Sequence, residues 1–497
     1  MSARAGAPRA LAARVALAVA LALGAGCQLV GRAAERAPVY GPPFATLPPA
    51  WDEAPPEPAD APITEPGALA RFALPNGLHA ILLSDHRLPH LVVGVALRRG
   101  AGAEPPELAG LAAYTAELLE RGAGDRDALA LATLVDGLGA SLGASADWDS
   151  MTVTASGLSS DVDTLFEVLR DVVLRPRFDA EEGRKARAET LAGLEQAKDD
   201  PATLVGWHAA RAAYGDHRYG TPAEGTSETV ARLDAAAARR FWESVAIAND
   251  AVVFAAGDID RAAFEARVQS AFGGWRSGDV PPEAPAPPAR VPGERKVVVV
   301  DEPDLNQARI VLVHEGLARA DERRIPAAVM NDILGGGGFS SRLMKSVRSE
   351  AGLTYGVWSG FGLRRRPGPF IVETFTQVPR ARAALDRVLA ELERIATEPP
   401  DAAEVAGART LRVGRFGLGL ETSSSVVEAL VDLDVHGLPE DGLDTFRGRV
   451  RRVDVEEVAR MARELVHPER AAIVVLGPAS ALVPQLEGLG HVEVVAP

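Results

Sequence analysis

Two stretches of the chain alternate apolar and polar residues in the same order, one in each half. GLHAILLSDHRLPHLVVGVALRRG, ending at Gly100, and KVVVVDEPDLNQARIVLVHEG, ending at Gly316, each predict strand, turn, strand. Downstream of the first, Val162, Leu165, Phe166, Leu169 and Val172 recur at helical spacing on one face; downstream of the second, Leu385, Val388, Leu389, Leu392 and Ile395 do the same. A Pro and then an Asp-Ala pair follow each helix, and Asp179 and Asp401 there predict the N-caps of two further helices. Each half closes on a short apolar run, DAVVFAAGD (Asp250 to Asp258) and RAAIVVLGP (Arg470 to Pro478), that predicts a buried strand. The same order of elements is thus written twice, displaced by about 215 to 220 residues. It predicts an α+β protein of two homologous two-layer α/β sandwiches, each a mixed sheet covered by helices on one face.

Breaks in the periodicity divide the chain. Residues 1–26 carry Arg4, Arg9 and Arg14, an apolar run from Val15 to Leu23 and small residues before Cys27, the layout of a signal peptide. LGAGC approximates a bacterial lipobox, which would make Cys27 a lipidated mature N-terminus; an ordinary cleaved signal with a free cysteine nearby is the other reading. Residues 27–65 form a Pro-rich acidic tether, and 280–293, VPPEAPAPPARVPG, an interdomain linker. The repeats then occupy 66–279 and 294–497.

Composition changes this picture little. With 47% hydrophobic and 24% charged residues over 497 positions the chain is globular. A single cysteine excludes an intrachain disulfide, so packing must supply the stability. A formal charge of -15 argues against nucleic acid as a partner; it suits basic or unfolded peptides, or serves solubility alone.

Several motifs invite chemistry and fail on context. Gly139-Ala140-Ser141-Leu142-Gly143 fits a nucleophile elbow, but a helix precedes it and a strand follows, the reverse of what that elbow needs. Gly335 to Gly338 is followed by no G-K-[ST], so a phosphate loop is not indicated; a mobile or close-approach backbone ahead of a helix capped by Ser340 or Ser341 is. His86 and His90 are separated by a turn containing Pro89 and should not share a helix face. A helix from Ser341 packs Leu343, Met344 and Val347 inward and ends at Gly352, with Arg348 in its last turn; a strand over Leu353 to Phe361 then sets Tyr355 near its start. A guanidinium and a phenol so placed suit a peptide carbonyl or a developing oxyanion. They also read as an ordinary surface arginine and a half-buried tyrosine.

The segment LGGGGFSSRLMKSVRSEAGLTY, Leu334 to Tyr355, resembles the second-half signature of the pitrilysin/insulinase family of zinc peptidases, in a form like mitochondrial processing peptidase. YGDHRYGTPAEGTSETVARL, Tyr214 to Leu233, is similar to another segment of that family. The resemblance implies that Arg348 and Tyr355 hold the substrate backbone and oxyanion, and that Gly336, Gly337, Gly338 and Phe339 lie in a substrate-contacting loop. In GLAAYTAELLERG the family's inverted H-x-x-E-H would fall on 113, 116 and 117, where this chain has Ala113, Ala116 and Glu117. The further carboxylate ligand, counted back from Pro201, falls on Gly193, with Glu189 and Glu195 out of register. The resemblance therefore implies a non-catalytic member that binds no metal. Arg348 and Tyr355 would act in trans on a zinc-bearing insulinase-family paralogue, with unfolded peptides as substrate. The expected address is the bacterial cell envelope, as a periplasm-facing lipoprotein held through Cys27 at the outer membrane.

Overall fold

In each half, the strand predicted last in sequence is inserted into the middle of the sheet. The structure, a computed structural model, describes residues 62–280 and 295–497; the signal peptide expected at 1–26, Cys27, and nearly all of the expected tether and linker lie outside them. The first sheet contains β1 (Leu69–Ala73), β2 (His79–Ser84), β3 (His90–Leu97), β4 (Ser141–Ala146), β5 (Met151–Leu158) and β6 (Ala251–Gly257), in the order β1-β2-β6-β3-β5-β4. The second contains β7 (Lys296–Asp301), β8 (Gln307–Glu315), β9 (Val357–Phe361), β10 (Pro369–Gln377), β11 (Ala472–Gly477) and β12 (His491–Val495), in the order β9-β10-β8-β11-β7-β12.

Read from opposite ends, the two orders coincide. β6 runs parallel to β2 and antiparallel to β3, as β11 does to β7 and β8. They differ at one outer edge. There the first sheet uses the preceding strand β1, antiparallel to β2, and the second uses the terminal strand β12, parallel to β7. The strand-turn-strand segments are therefore not paired hairpins, because β6 and β11 separate their arms. Alternation along a strand fixes its faces and is silent about its neighbour.

The helices follow their sequence signals. The principal ones are α1 (Leu111–Leu119), α2 (Ala128–Gly137), α3 (Val162–Leu174), α4 (Ala180–Ala197), α5 (Pro201–Tyr214), α6 (Ala235–Val245), α7 (Arg261–Phe272), α8 (Arg324–Asn331), α9 (Ala381–Thr397), α10 (Ala402–Leu418), α11 (Ser423–Val435), α12 (Gly442–Arg452) and α13 (Val455–Leu465). Leu165, Phe166, Leu169 and Val172 of α3 are buried, as are Leu385, Val388, Leu389, Leu392 and Ile395 of α9. Asp179 accepts from the Glu181 and Glu182 amides to cap α4, and Asp401 caps α10 in a reciprocal box with Glu404. Among the described residues no helix is long and apolar enough to cross a membrane.

Helices cover both faces of each sheet, not one as the sequence suggested, and the second cover is exchanged. From α11, in the second half, Val426, Val427, Leu430, Val431, Leu433 and Val435 pack on Ile81, Leu83, Ala96, Val252, Phe254 and Ala256 of the first sheet. From α5, in the first half, Leu204, Val205 and Ala209 pack on Val298, Val300, Val311, Val313, Val474 and Leu476 of the second. This explains why all seven residues of β6 are buried in succession instead of alternating. Burying a large aliphatic side chain contributes about 1.5–3 kcal/mol, so the α11 contact is worth on the order of 10 kcal/mol. The halves are clasped, each completing the other's core.

Candidate functional site

Helix α1, where the resemblance would put the metal, is held firmly but carries no ligand set. Its first amides, at Gly110 and Ala112, both donate to the Glu104 carboxylate at 2.7 Å. Glu104 is in turn paired with Arg218, itself buried and stacked 4.9 Å from the Trp148 ring. The far side of α1 packs closely: the Tyr114 hydroxyl donates to the Gly183 carbonyl on α4 at 2.7 Å, and a Cβ on Gly183 would lie 2.9 Å from that hydroxyl oxygen. Ala116 is buried, Ala113 is half-buried and Glu117 is exposed. Two of the three motif positions thus offer no donor atom.

Just beyond α1, Arg121 binds the acids that remain. Its guanidinium bonds Glu117 on α1 and Glu189 on α4, the latter at 2.5 Å, and lies 3.6 Å from Glu182. Burial works against its charge, but Glu189 and Glu117 outweigh that and hold its pKa above the ordinary arginine value. Glu189 was out of register when counted along the sequence, yet α4 brings it here, because Glu182 and Glu189 are two turns apart on one helix face. Glu195 turns away to Lys198 and the Ser227 hydroxyl. Zinc therefore does not fit these residues, since their carboxylates are already bound by a cation.

The neighbouring Glu120 has a different task. It accepts from the outward-facing amide of Ala144, on the edge strand β4, at 2.6 Å beside a cavity of about 280 Å³ lined by Leu131, Val135 and Leu142. Burial pushes its carboxyl above the usual range. One amide of the first sheet's open edge is thus already engaged. Ser141, from the discarded elbow motif, begins β4 opposite Ser156, after a helix as the sequence indicated.

The second cluster surrounds Arg348. Phe339 and Tyr355 stack on its guanidinium, each ring centroid 4.6 Å away, and both rings are largely exposed, at 71% and 75%. Rings stacked on a guanidinium face leave its N–H donors, which lie in the guanidinium plane, available to a hydrogen-bond acceptor. Among the described residues those donors make no hydrogen bond or ion pair. The helical segment beneath is fastened by Arg342, bidentate on Glu404 at 2.7 and 2.8 Å, and buries Leu343, Met344 and Val347 as expected. Two details differ from the sequence reading. Ser340 and Ser341 do not cap this segment; their hydroxyls donate back to the carbonyls of Gly337 and Gly338. Tyr355 precedes its strand, which begins at Val357, because Thr354 bonds both the amide and the carbonyl of Gly356 and turns the chain there.

The glycine run is a close-approach segment. A Cβ on Gly335 would fall 2.4 Å from the Ser359 hydroxyl on β9, and the Gly336 carbonyl is bound by Arg415. Gly338, at φ +70°, turns the chain so that Phe339 projects over Arg348. Of Gly336, Gly337, Gly338 and Phe339, only Phe339 presents a large side chain to an incoming peptide. The sequence reading had Phe339 in the loop but missed its stacking on Arg348, nine residues on, which no spacing rule signals.

One further grouping has the distances of a Ser-His-Asp triad. His86 Nδ1 lies 2.7 Å from Asp258 and Nε2 3.1 Å from Ser84 Oγ. Asp258 and then Asp260, 3.5 Å from Nε2, raise the His86 pKa and favour the charged imidazole, while Ser84 donates its proton to the Ile259 carbonyl at 2.7 Å. The serine thus has no base, and the group braces the β2–β3 turn against the end of β6.

Comparison with known proteins gives a consistent answer. Residues 80–227 match the insulinase domain of peptidase family M16, and residues 232–411 match the domain described as the peptidase M16 inactive domain. An uncharacterized zinc protease of Mycobacterium tuberculosis is 30% identical over 425 residues, 85% of this chain and 96% of that one. Another, of Streptomyces coelicolor, is 28% identical over 417 residues, 83% and 90% of the two chains. Among solved structures, a peptidase M16 inactive domain from Pseudomonas fluorescens superposes with a TM-score of 0.76 at 24% identity, covering 82% of this chain and 98% of that one. A protease from Helicobacter pylori gives 0.76 at 18%, covering 82% and 99%. The chain belongs to the insulinase family of peptidases, family M16.

Proposed function

We propose that this chain is the non-catalytic, substrate-positioning subunit of a heteromeric insulinase-family metallopeptidase that processes or degrades peptides in the bacterial cell envelope. One observation carries the reading: Arg348 is stacked by both Phe339 and Tyr355 with its donors unpaired among the described residues, while the helix that should bear zinc ligands offers Ala113 and Ala116. A stacked guanidinium keeps its orientation when a substrate carbonyl arrives, so little ordering entropy remains to be lost. The free edge of β9 begins two residues after Tyr355, and an extended peptide laid along it would carry its carbonyls past Arg348 and the Tyr355 hydroxyl. The zinc-bearing partner would supply the metal-activated water; this chain would hold the carbonyl and stabilise negative charge developing on its oxygen.

An autonomous peptidase using Glu117, Glu189 or Glu195 is disfavoured, because Arg121, or Lys198 and Ser227, already engage those carboxylates. The deciding experiment purifies the mature chain alone and with its H-x-x-E-H paralogue, then measures metal content and peptide cleavage. The chain alone is expected to hold no stoichiometric zinc and cleave nothing, and to raise the paralogue's turnover on mixing. About one zinc per chain with chelator-sensitive activity would overturn the proposal. A stable complex with no gain in turnover would make the chain a scaffold or peptide-binding lipoprotein.

A further inference from the structure

Among the described residues the exposed aromatic side chains fall in one stretch of the second half: Phe339, Tyr355 and Trp358, the last 46% exposed. Stacking on Arg348 accounts for Phe339 and Tyr355, but not for Trp358. It stands on β9, the outermost strand of its sheet, paired only with β10. Native proteins guard an open edge with charge, proline or a cover, because an apolar one invites another chain, and β9 (VWSGF) carries neither charge nor proline. The register fixes where Trp358 points. Val357 and Ser359 are buried toward the core, so Trp358 and Gly360 face the other side of the sheet. Trp358 pairs with Glu373 of β10, and Glu373 with Val311 of β8, on the face that α5 covers. The strand residues buried beneath α5 lie on β7, β8 and β11, so the cover does not extend to the indole. The ring lies back over Gly360, where a Cβ would come within 2.9 Å of it and displace it.

We infer that Trp358 determines specificity at the β9 edge, and that the chain takes extended peptides bearing an aromatic or large aliphatic side chain on the face of that indole; this rests on the peptide-positioning role proposed above for Arg348. A strand added to β9 sets one side chain directly across from Trp358, with Cβ atoms about 4.5–5.5 Å apart, close enough for apolar and aromatic packing. Trp358 follows Tyr355 by about 10 Å of extended chain, so the selected residue sits about three positions from the carbonyl held at Arg348. The occupant is a peptide because the Arg348 donors, unpaired among the described residues at the start of the same edge, call for an acceptor, and a peptide backbone carries one at every residue.

The test measures binding to the mature chain by fluorescence anisotropy of a labelled Ser/Ala peptide with one central guest residue, Phe, Leu or Ser. Wild type should bind the Phe and Leu peptides about 10-fold more tightly than the Ser peptide, the factor expected for packing an apolar side chain on an aromatic ring. Trp358→Ala should erase that difference, and Trp358→Phe should keep most of it. Arg348→Ala should weaken all three peptides by one common factor and leave their ratio intact. Equal discrimination by wild type and folded Trp358→Ala overturns the inference while the positioning role of Arg348 stands. Discrimination that depends on Trp358, with affinities that Arg348→Ala leaves unchanged, supports the subsite and counts against that role. A wild-type chain that binds none of the peptides, or that self-associates through this edge and becomes monomeric in Trp358→Ala, overturns the inference.

Discussion

The exchanged helices imply that neither half is stable without the other, and Leu430→Ala tests this on α11. Leu430 is 3% exposed and lies against the first sheet in the cluster that contains Ile81, Val252 and Phe254. Truncating a buried leucine costs about 2–5 kcal/mol, and the cost rises where the surroundings cannot collapse into the space left. Here the sheet is packed by helices on its other face, so a cost above the bottom of that range, about 3–4 kcal/mol, is expected. Leu418→Ala, on a residue 77% exposed, is the control and should change stability by less than about 0.5 kcal/mol. Val205→Ala makes the reciprocal perturbation from α5 on the second sheet. Denaturant unfolding followed by tryptophan fluorescence and by circular dichroism should show one transition, shifted by either variant, since tryptophans of both halves, Trp242 and Trp358 among them, contribute to the signal. Two separate transitions with only one displaced would refute the clasp, and so would a cost below about 1 kcal/mol for Leu430→Ala.

Other outcomes follow from single residues. Phe339→Ala, which removes one face of the Arg348 stack but none of its donors, should lower turnover of the reconstituted complex only about 2- to 5-fold, the worth of an exposed cation–π contact; a loss as large as that of Arg348→Ala would show that Phe339 itself binds substrate. His436 bridges Asp149 in the first half and Asp432 in the second; against its burial these acids raise its pKa from 6.5 to about 9. Its contribution to stability is therefore complete below pH 6.5 and is lost as pH rises through 9, so His436→Asn should remove that alkaline fall from the stability curve. His314 is the opposite case: burial lowers its pKa to about 4, so its contribution is lost as pH falls from 6.5 through 4, and His314→Gln should flatten that acidic limb. Cys27→Ser should release the protein from membrane fractions, and a native protein found soluble with an unmodified N-terminus would contradict lipid anchoring.

The repeat was legible because each half spends its apolar residues in the same order, and the helices were legible from Asp179 and Asp401 because a cap is a local event. Pairing was not. The continuous apolar run of β6 announces burial on both faces, yet nothing in it says that β2 and β3 will lie on either side. Nor could the faces of α5 and α11 reveal that each covers the other half's sheet, since amphipathicity states that a partner exists and not which one. At the site, the missing zinc ligands at Ala113 and Ala116 could be read directly. Counting back from Pro201 dismissed Glu189, whereas what matters is the phase of α4, which turns Glu182 and Glu189 together toward Arg121. The Arg348 stack escaped notice for a related reason: Gly338 reverses the chain, and contacts made across such a turn have no sequence period.

The most direct test of the proposed substrate positioning is the turnover of the complex reconstituted from this chain and the proposed zinc-bearing paralogue, with wild type, Arg348→Ala and Tyr355→Phe compared at equal metal content and equal assembly by size-exclusion chromatography. Loss of an oxyanion donor typically lowers turnover on the order of 100-fold or more. A drop of that size in Arg348→Ala, with a clear loss in Tyr355→Phe and the complex intact, is the expected result. Turnover unchanged in both variants would contradict it and reduce Arg348 and Tyr355 to structural roles.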